Sequence, residues 1–260
     1  EDIEAFEFDH LSRYQLSDRL LGPLAGRPDL HRVQREGKFP LGPDGVKIWD
    51  TLGEELATLE QAITDLPGRK DPALEVEARF LDFPEIGVRL GGSIRHLRGS
   101  DAGPTGMLLV RPGRIRSVDI ARIALERALL PPSQAARPSA SVLGFGEGRA
   151  VVCYTLAEFA NEREWIEKLL GWYMRGMRQP VHAFPNCARA FAEAWVKGKG
   201  ASPSQAAEKA WLEGEYPEGI DAFNALISRH RGEAVLDEQF EAFASEVYVP
   251  LHRMLAKVKS

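Results

Sequence analysis

Between Ile86 and Arg116 the chain carries six arginines (Arg89, Arg95, Arg98, Arg111, Arg114 and Arg116) against a single acid, Asp101. The whole chain sums to −5 and this stretch to +5, which leaves −10 elsewhere. A guanidinium stays charged at any physiological pH and presents a planar fork of N–H donors to carboxylates and phosphates. The chemistry on offer is therefore the holding of an anion. DNA phosphates are one such anion, and the acids of this chain or of a partner are the other.

Other chemistries find little support. Gly22-Pro23-Leu24-Ala25-Gly26 and Gly144-Phe145-Gly146-Glu147-Gly148 lack the lysine and the helix opening of a phosphate loop, and read as turns. The six histidines, His10, His31, His96, His182, His230 and His252, show no paired metal spacing. No serine stands in a Gly-x-Ser-x-Gly elbow. A metal-dependent nuclease needs two carboxylates to hold magnesium beside the phosphate, and often a lysine. In the fold built around that chemistry, one strand ends Gly-x-Ile-Asp and, after a hairpin, the next offers an acid-x-Lys. Here those segments read Gly92-Ser93-Ile94-Arg95 and Leu109-Val110-Arg111-Pro112-Gly113, with no lysine between Lys70 and Lys168. An arginine repels magnesium. No catalytic residue, metal ligand or cofactor is assigned on this reading. An active nuclease would have to use Asp82, Glu85, Asp101 or Asp119 instead.

The elements that would carry these arginines follow from the spacing of apolar residues. Leu11, Tyr14, Leu20, Leu21 and Leu24 form one stripe. A turn-rich loop, Glu36 to Gly45, separates it from Trp49, Leu52, Leu56, Leu59, Ile63 and Leu66, an amphipathic helix stopped by Pro67-Gly68. The period then falls to two. Leu74, Val76, Ala78 and Phe80 are expected on the inner face of a strand, and Val88, Leu90 and Ile94 on that of the next, with Arg89 and Arg95 together outside. Gly99 to Gly106 reads as a flexible hairpin tip, and Met107 to Val110 as a central strand covered on both faces. Ile120, Ile123, Ala124 and Ala128 mark a following helix, and Ser141 to Tyr154 a hairpin turning at Gly146-Glu147-Gly148. Thr155 and Glu158 are expected to box the start of a helix carrying Phe159, Ile166, Leu169, Tyr173 and Met177. Ser202, Pro203 and Gln205 open another. The last helix carries Phe240, Phe243, Val247, Leu251 and Met254, kinked or ended at Pro250. Trp165, Trp172, Trp195 and Trp211 lie on helices and are expected in the core for the most part, one or two of them open to a partner.

Composition bounds the rest. A chain of 260 residues, 44% hydrophobic and 27% charged, buries a real core, and no apolar run approaches the roughly 18–20 residues that span a bilayer. It opens at Glu1 without methionine, as a piece of a longer polypeptide would. Cys153 and Cys187 read as buried small hydrophobes, which fits a reducing cytoplasm. The fold class is α/β: a mixed core at 71–154 with a helical arm at 1–70 and helices at 155–260.

Phe6-Glu7-Phe8-Asp9-His10-Leu11-Ser12-Arg13-Tyr14-Gln15-Leu16, followed by Arg19-Leu20-Leu21, resembles the opening of the C-terminal domain of RecC, the exodeoxyribonuclease V gamma chain. Arg35-Glu36-Gly37-Lys38-Phe39-Pro40-Leu41-Gly42 and Tyr173-Met174-Arg175-Gly176-Met177-Arg178-Gln179-Pro180 are similar to later segments of that domain, as are Asp221-Ala222-Phe223 and Val249-Pro250-Leu251. Where a Trp-x-x-His-Leu is expected after the strands, Arg122-Ile123-Ala124-Leu125 stands. The resemblance implies a degenerate restriction-endonuclease-like core, of the PD-(D/E)xK type without its acids. It implies RecB-like and RecD-like partner subunits in a heterotrimer, duplex or forked DNA as the ligand, and a scaffold that helps separate strands without cutting. Two alternatives stay open: an active metal nuclease, and a protein-binding module whose arginine face meets an acidic surface.

Overall fold

Met107, Leu108 and Leu109 are all buried. Consecutive buried side chains on a strand require a sheet covered on both faces. The computed structural model describes residues 8–21, 27–64, 66, 71–74, 78–100, 103–130, 138–157, 161–198, 200, 202–213, 217–228 and 235–258. It begins with α1 (His10–Leu21), α2 (Leu30–Arg35) and α3 (Gly42–Thr64). A hairpin of β1 (Arg79–Phe83) and β2 (Val88–Gly92) forms a two-stranded sheet of its own. The main sheet follows with β3 (Leu97–Ser100) and β4 (Gly103–Arg114), then α4 (Ser117–Ala128), β5 (Ser139–Phe145) and β6 (Val151–Leu156). Helices α5 (Glu162–Gly176), α6 (Pro185–Lys197), α7 (Pro203–Leu212), α8 (Ala222–Ser228), α9 (Glu238–Phe243) and α10 (Val249–Arg253) precede a last strand, β7 (Leu255–Val258).

The five strands run in sequence order, β3-β4-β5-β6-β7. Among the described strands only the β4–β5 pair is parallel, joined over one face by α4. Leu108 joins Leu143, Phe145 and Cys153 against Leu52, Leu56 and Leu59 of α3. Met107 and Leu109 face the other way, with Ile120 and Ile123 of α4, Trp165 of α5, Phe191 of α6 and Phe240 of α9. Helices thus cover both faces, and the molecule is mixed α/β.

Beyond Val110 the ladder breaks. Val110 pairs with Leu143 and Arg114 with Phe145, so Arg111, Pro112 and Gly113 stand against Gly144 alone. A bulge tolerates proline, which has no ladder donor to give. It also brings backbones together: a Cβ on Gly144 would lie 2.9 Å from the Arg111 carbonyl oxygen.

Several expectations need correction. The first strand begins at Arg79 rather than Leu74, and residues 75–77 lie outside the described set. Its register is the reverse of that expected: Phe80 is 61% exposed, while Leu81 and Phe83 turn inward. Phe80 instead lies against Gly91 across the hairpin, leaving no room for a Cβ there. The second strand ends at Gly92, so Ser93, Ile94 and Arg95 are not on it. Gly99, Ser100 and Gly103 to Gly106 are strand residues, and 101–102, within the expected tip, lie outside the described residues. Gly42 to Gly45 is already helix. Thr155 is not a helix cap but a strand residue paired with Ala256, and α5 starts only after Asn161. Tyr173 and Met177 point to solvent, and Trp165, Ile166, Leu170 and Trp172 form the buried face of α5.

Other readings hold. The box of Ser202 and Gln205 opens α7. Trp165 and Trp172 are in the core and Trp195 is half exposed. Pro250 sits in the first turn of α10, directly after a π-helical turn, Ala244–Tyr248, that interrupts the last helix. No described helix is long and apolar enough to cross a membrane.

Candidate nucleic-acid interface

The bulge on β4 and the start of α4 fix the first part of the site. Arg111 leaves the bulge half buried, donates from Nε to the Arg114 carbonyl at 2.8 Å, and lies over the Tyr14 ring of α1 with its guanidinium carbon 4.8 Å from the ring centre. Its guanidinium reaches Asp119 at 3.3 Å. Asp119, on the first turn of α4, is almost wholly buried. Its carboxylate also accepts from the Arg116 backbone N–H at 2.9 Å and pairs with the Arg116 side chain at 3.5 Å. An acid here satisfies a free N–H group at the helix start as well as two cations. Burial lowers the Arg111 pKa and the Asp119 carboxylate opposes that shift.

The second part lies two turns further along α4. Glu126 is buried, and its Oε2 accepts from the backbone N–H groups of Arg95 and His96, at 3.0 and 3.3 Å. His96 Nδ1 lies 2.9 Å from the same oxygen. Burial pushes the Glu126 carboxyl up. The His96 ring and the two backbone donors outweigh it and hold the pKa below the ordinary carboxylate value. This clamp fixes the crossing from β2 to β3 on α4, and from it the Arg95 side chain projects to solvent.

The six arginines of the sequence thus fall into different settings. Arg111 and Arg116 come together with the Arg114 carbonyl around Asp119. Arg89 stands apart on the β1–β2 hairpin, in a two-point bridge to Asp82 (2.5 and 3.2 Å) and above Phe80. Arg95 is exposed, and Arg98 is half buried on β3, where its neighbour Leu97 faces α4. Successive strand residues face opposite sides, so Arg98 belongs to the α3 side. Arg114 is exposed at the end of β4. Arg95 and Arg98 have no ion-pair partner among the described residues. Arg122 escaped the sequence reading. It is exposed on α4, likewise without an ion-pair partner among the described residues. Its signal was the spacing Asp119, Arg122, Glu126, which places all three along one flank of a helix.

The acids an active nuclease would need are spread out. Asp82 bonds Arg89, Glu85 is 3.8 Å from Arg163, Asp119 is buried under Arg111 and Arg116, and Asp101 lies outside the described residues. Among the described residues no group of three His, Cys, Asp or Glu could hold a metal ion. A cavity between α4, α6, α10 and β7, lined by Ser117, Arg189, Tyr248 and His252 among others, measures about 10 Å³. That is the room of a single water, far below a substrate pocket.

The family model described as the RecC C-terminal domain matches residues 1–195. A curated relative, the RecBCD enzyme subunit RecC of Escherichia coli (strain K12), is 25% identical over 206 residues, which cover 75% of this chain. The chain spans 16% of that relative's length.

Proposed function

This chain belongs to the RecC C-terminal domain family, and on that premise we propose that it is a DNA-handling scaffold of a RecBCD-type complex in double-strand break repair by homologous recombination. In this reading it cuts nothing. It helps hold RecB-like and RecD-like subunits together in the cytoplasm and helps part the strands of duplex or forked DNA. The observation that supports the reading is the β4 bulge at Arg111-Pro112-Gly113, the segment that the sequence alignment sets against the acid-x-lysine of a nuclease. An arginine locked to Asp119 cannot ligate magnesium. A hairpin, β3–β4, followed by a helix and a parallel strand also suits a degenerate restriction-endonuclease-like core. The cations left over by internal pairing, Arg95 and Arg98, are the proposed DNA contacts from the original six.

A gel shift with forked DNA, using the chain alone and together with its partner subunits, tests this reading. Binding that needs no ATP is expected, and binding to neither DNA nor partner overturns it. Magnesium-dependent cleavage by the purified chain, abolished by Asp119→Ala or Asp101→Ala, would establish the active nuclease instead.

A further inference from the structure

Asp119, Arg122 and Glu126 line one flank of α4, the two acids seven residues apart and so about 10 Å along the helix axis. Each acid is spent. Asp119 holds Arg111 and Arg116, and Glu126 holds the backbone of Arg95 and the ring of His96. Between the two clamps stands Arg122, exposed, with its charge close enough to act on Arg111. Beside the second clamp projects Arg95, also exposed. The anions that would otherwise neutralise these two guanidinium groups are thus already engaged, on a chain that is acidic elsewhere. Uncompensated, outward-facing arginines anchored on rigid backbone suit charge-assisted, two-point bonding to phosphate.

We propose that Arg95 and Arg122 form a phosphate-binding row along this flank of α4 that takes the sugar–phosphate backbone of one DNA strand. Arg122 lies about one helical turn from Glu126, beside which Arg95 projects, a spacing suited to neighbouring phosphates of one strand. Arginines in such a row position the strand without reading its sequence. The proposal rests on the scaffold reading above and adds to it a residue, Arg122, and a place.

The test is a fluorescence-anisotropy titration of labelled forked DNA with the chain, at several salt concentrations. R95Q/R122Q is expected to weaken binding about tenfold or more, equally for unrelated sequences, and to lower the salt slope by roughly 0.7–0.9 per lost contact. R95K/R122K keeps both charges and is expected to recover most of the affinity, which separates lost charge from lost structure. R149Q, on an exposed arginine bonded to Glu55, is expected to change nothing. Fork binding by R95Q/R122Q within twofold of the unsubstituted chain, at the same slope, overturns the row and leaves the scaffold reading standing. No fork binding by the unsubstituted chain overturns the row, and it overturns the scaffold reading too when assembly onto the partner subunits is also absent. Retained fork binding with lost assembly onto the partner subunits also overturns it, and assigns the row to an acidic protein surface.

Discussion

Arg89 and Arg111 make the same two contacts in two parts of the molecule. Each lies over an aromatic ring, Phe80 or Tyr14, and each reaches an aspartate, Asp82 or Asp119. The surroundings differ. On the hairpin both partners of the pair are about two-thirds exposed, whereas at the β4 bulge the side chains of Arg111 and Asp119 are 13% and 2% exposed. Water competes for every bond of the first pair and for little of the second. Equal contacts therefore carry unequal weight, and a count of arginines along the sequence cannot tell a fastening from a free charge.

The comparison can be broken at its strong end first. Asp119→Ala strips the anion from Arg111 and Arg116 and uncaps α4, and is expected to cost about 3 kcal/mol of unfolding free energy in a urea titration. A loss no larger than that of Asp82→Ala would erase the distinction. Glu126→Gln comes next. It keeps the shape of the clamp but loses its charge, with an expected cost of roughly 1–2 kcal/mol at neutral pH. Because the folded Glu126 pKa lies below its unfolded value, its contribution is complete above the unfolded pKa of about 4.3 and is lost as pH falls through the folded value. The gap between the unsubstituted chain and E126Q should therefore close in acid. A gap that persists unchanged at pH 3 would mean the carboxylate charge contributes nothing. Asp82→Ala is expected to leave the thermal midpoint where it was, measured by circular dichroism, since both partners of its bridge are open to solvent.

The same contrast explains how much was legible in the sequence. Elements whose pattern is read within one segment were visible: β4 from Met107 to Val110, α4 from its apolar stripe, the β5–β6 hairpin from its glycines, and the Ser202 cap. Errors came where a remote partner decides. Thr155 has the spacing of a helix cap, yet β7 arrives to pair with it. Phe80 alternates with the right residues in the wrong phase, because the hairpin packs through Leu81 and Phe83. The arginine stretch was visible as charge. Its division into fastenings and free cations was not, because it depends on which flank of α4 meets β4 and the crossing at Arg95. Arg122 lies outside the stretch, and only the folded helix brings it there.

The last strand bears on time as well as on shape. β7 completes the sheet against β6, yet its partner residues lie about a hundred positions earlier in the chain, a separation that slows folding through the entropy of closing so long a loop. Until Leu255 to Val258 have been synthesised, β6 waits as an unpaired edge, open to the wrong partner. A nascent chain halted before Leu255 should therefore stay sensitive to protease and prone to association, and gain protection in a single late step once those four residues are free to pair.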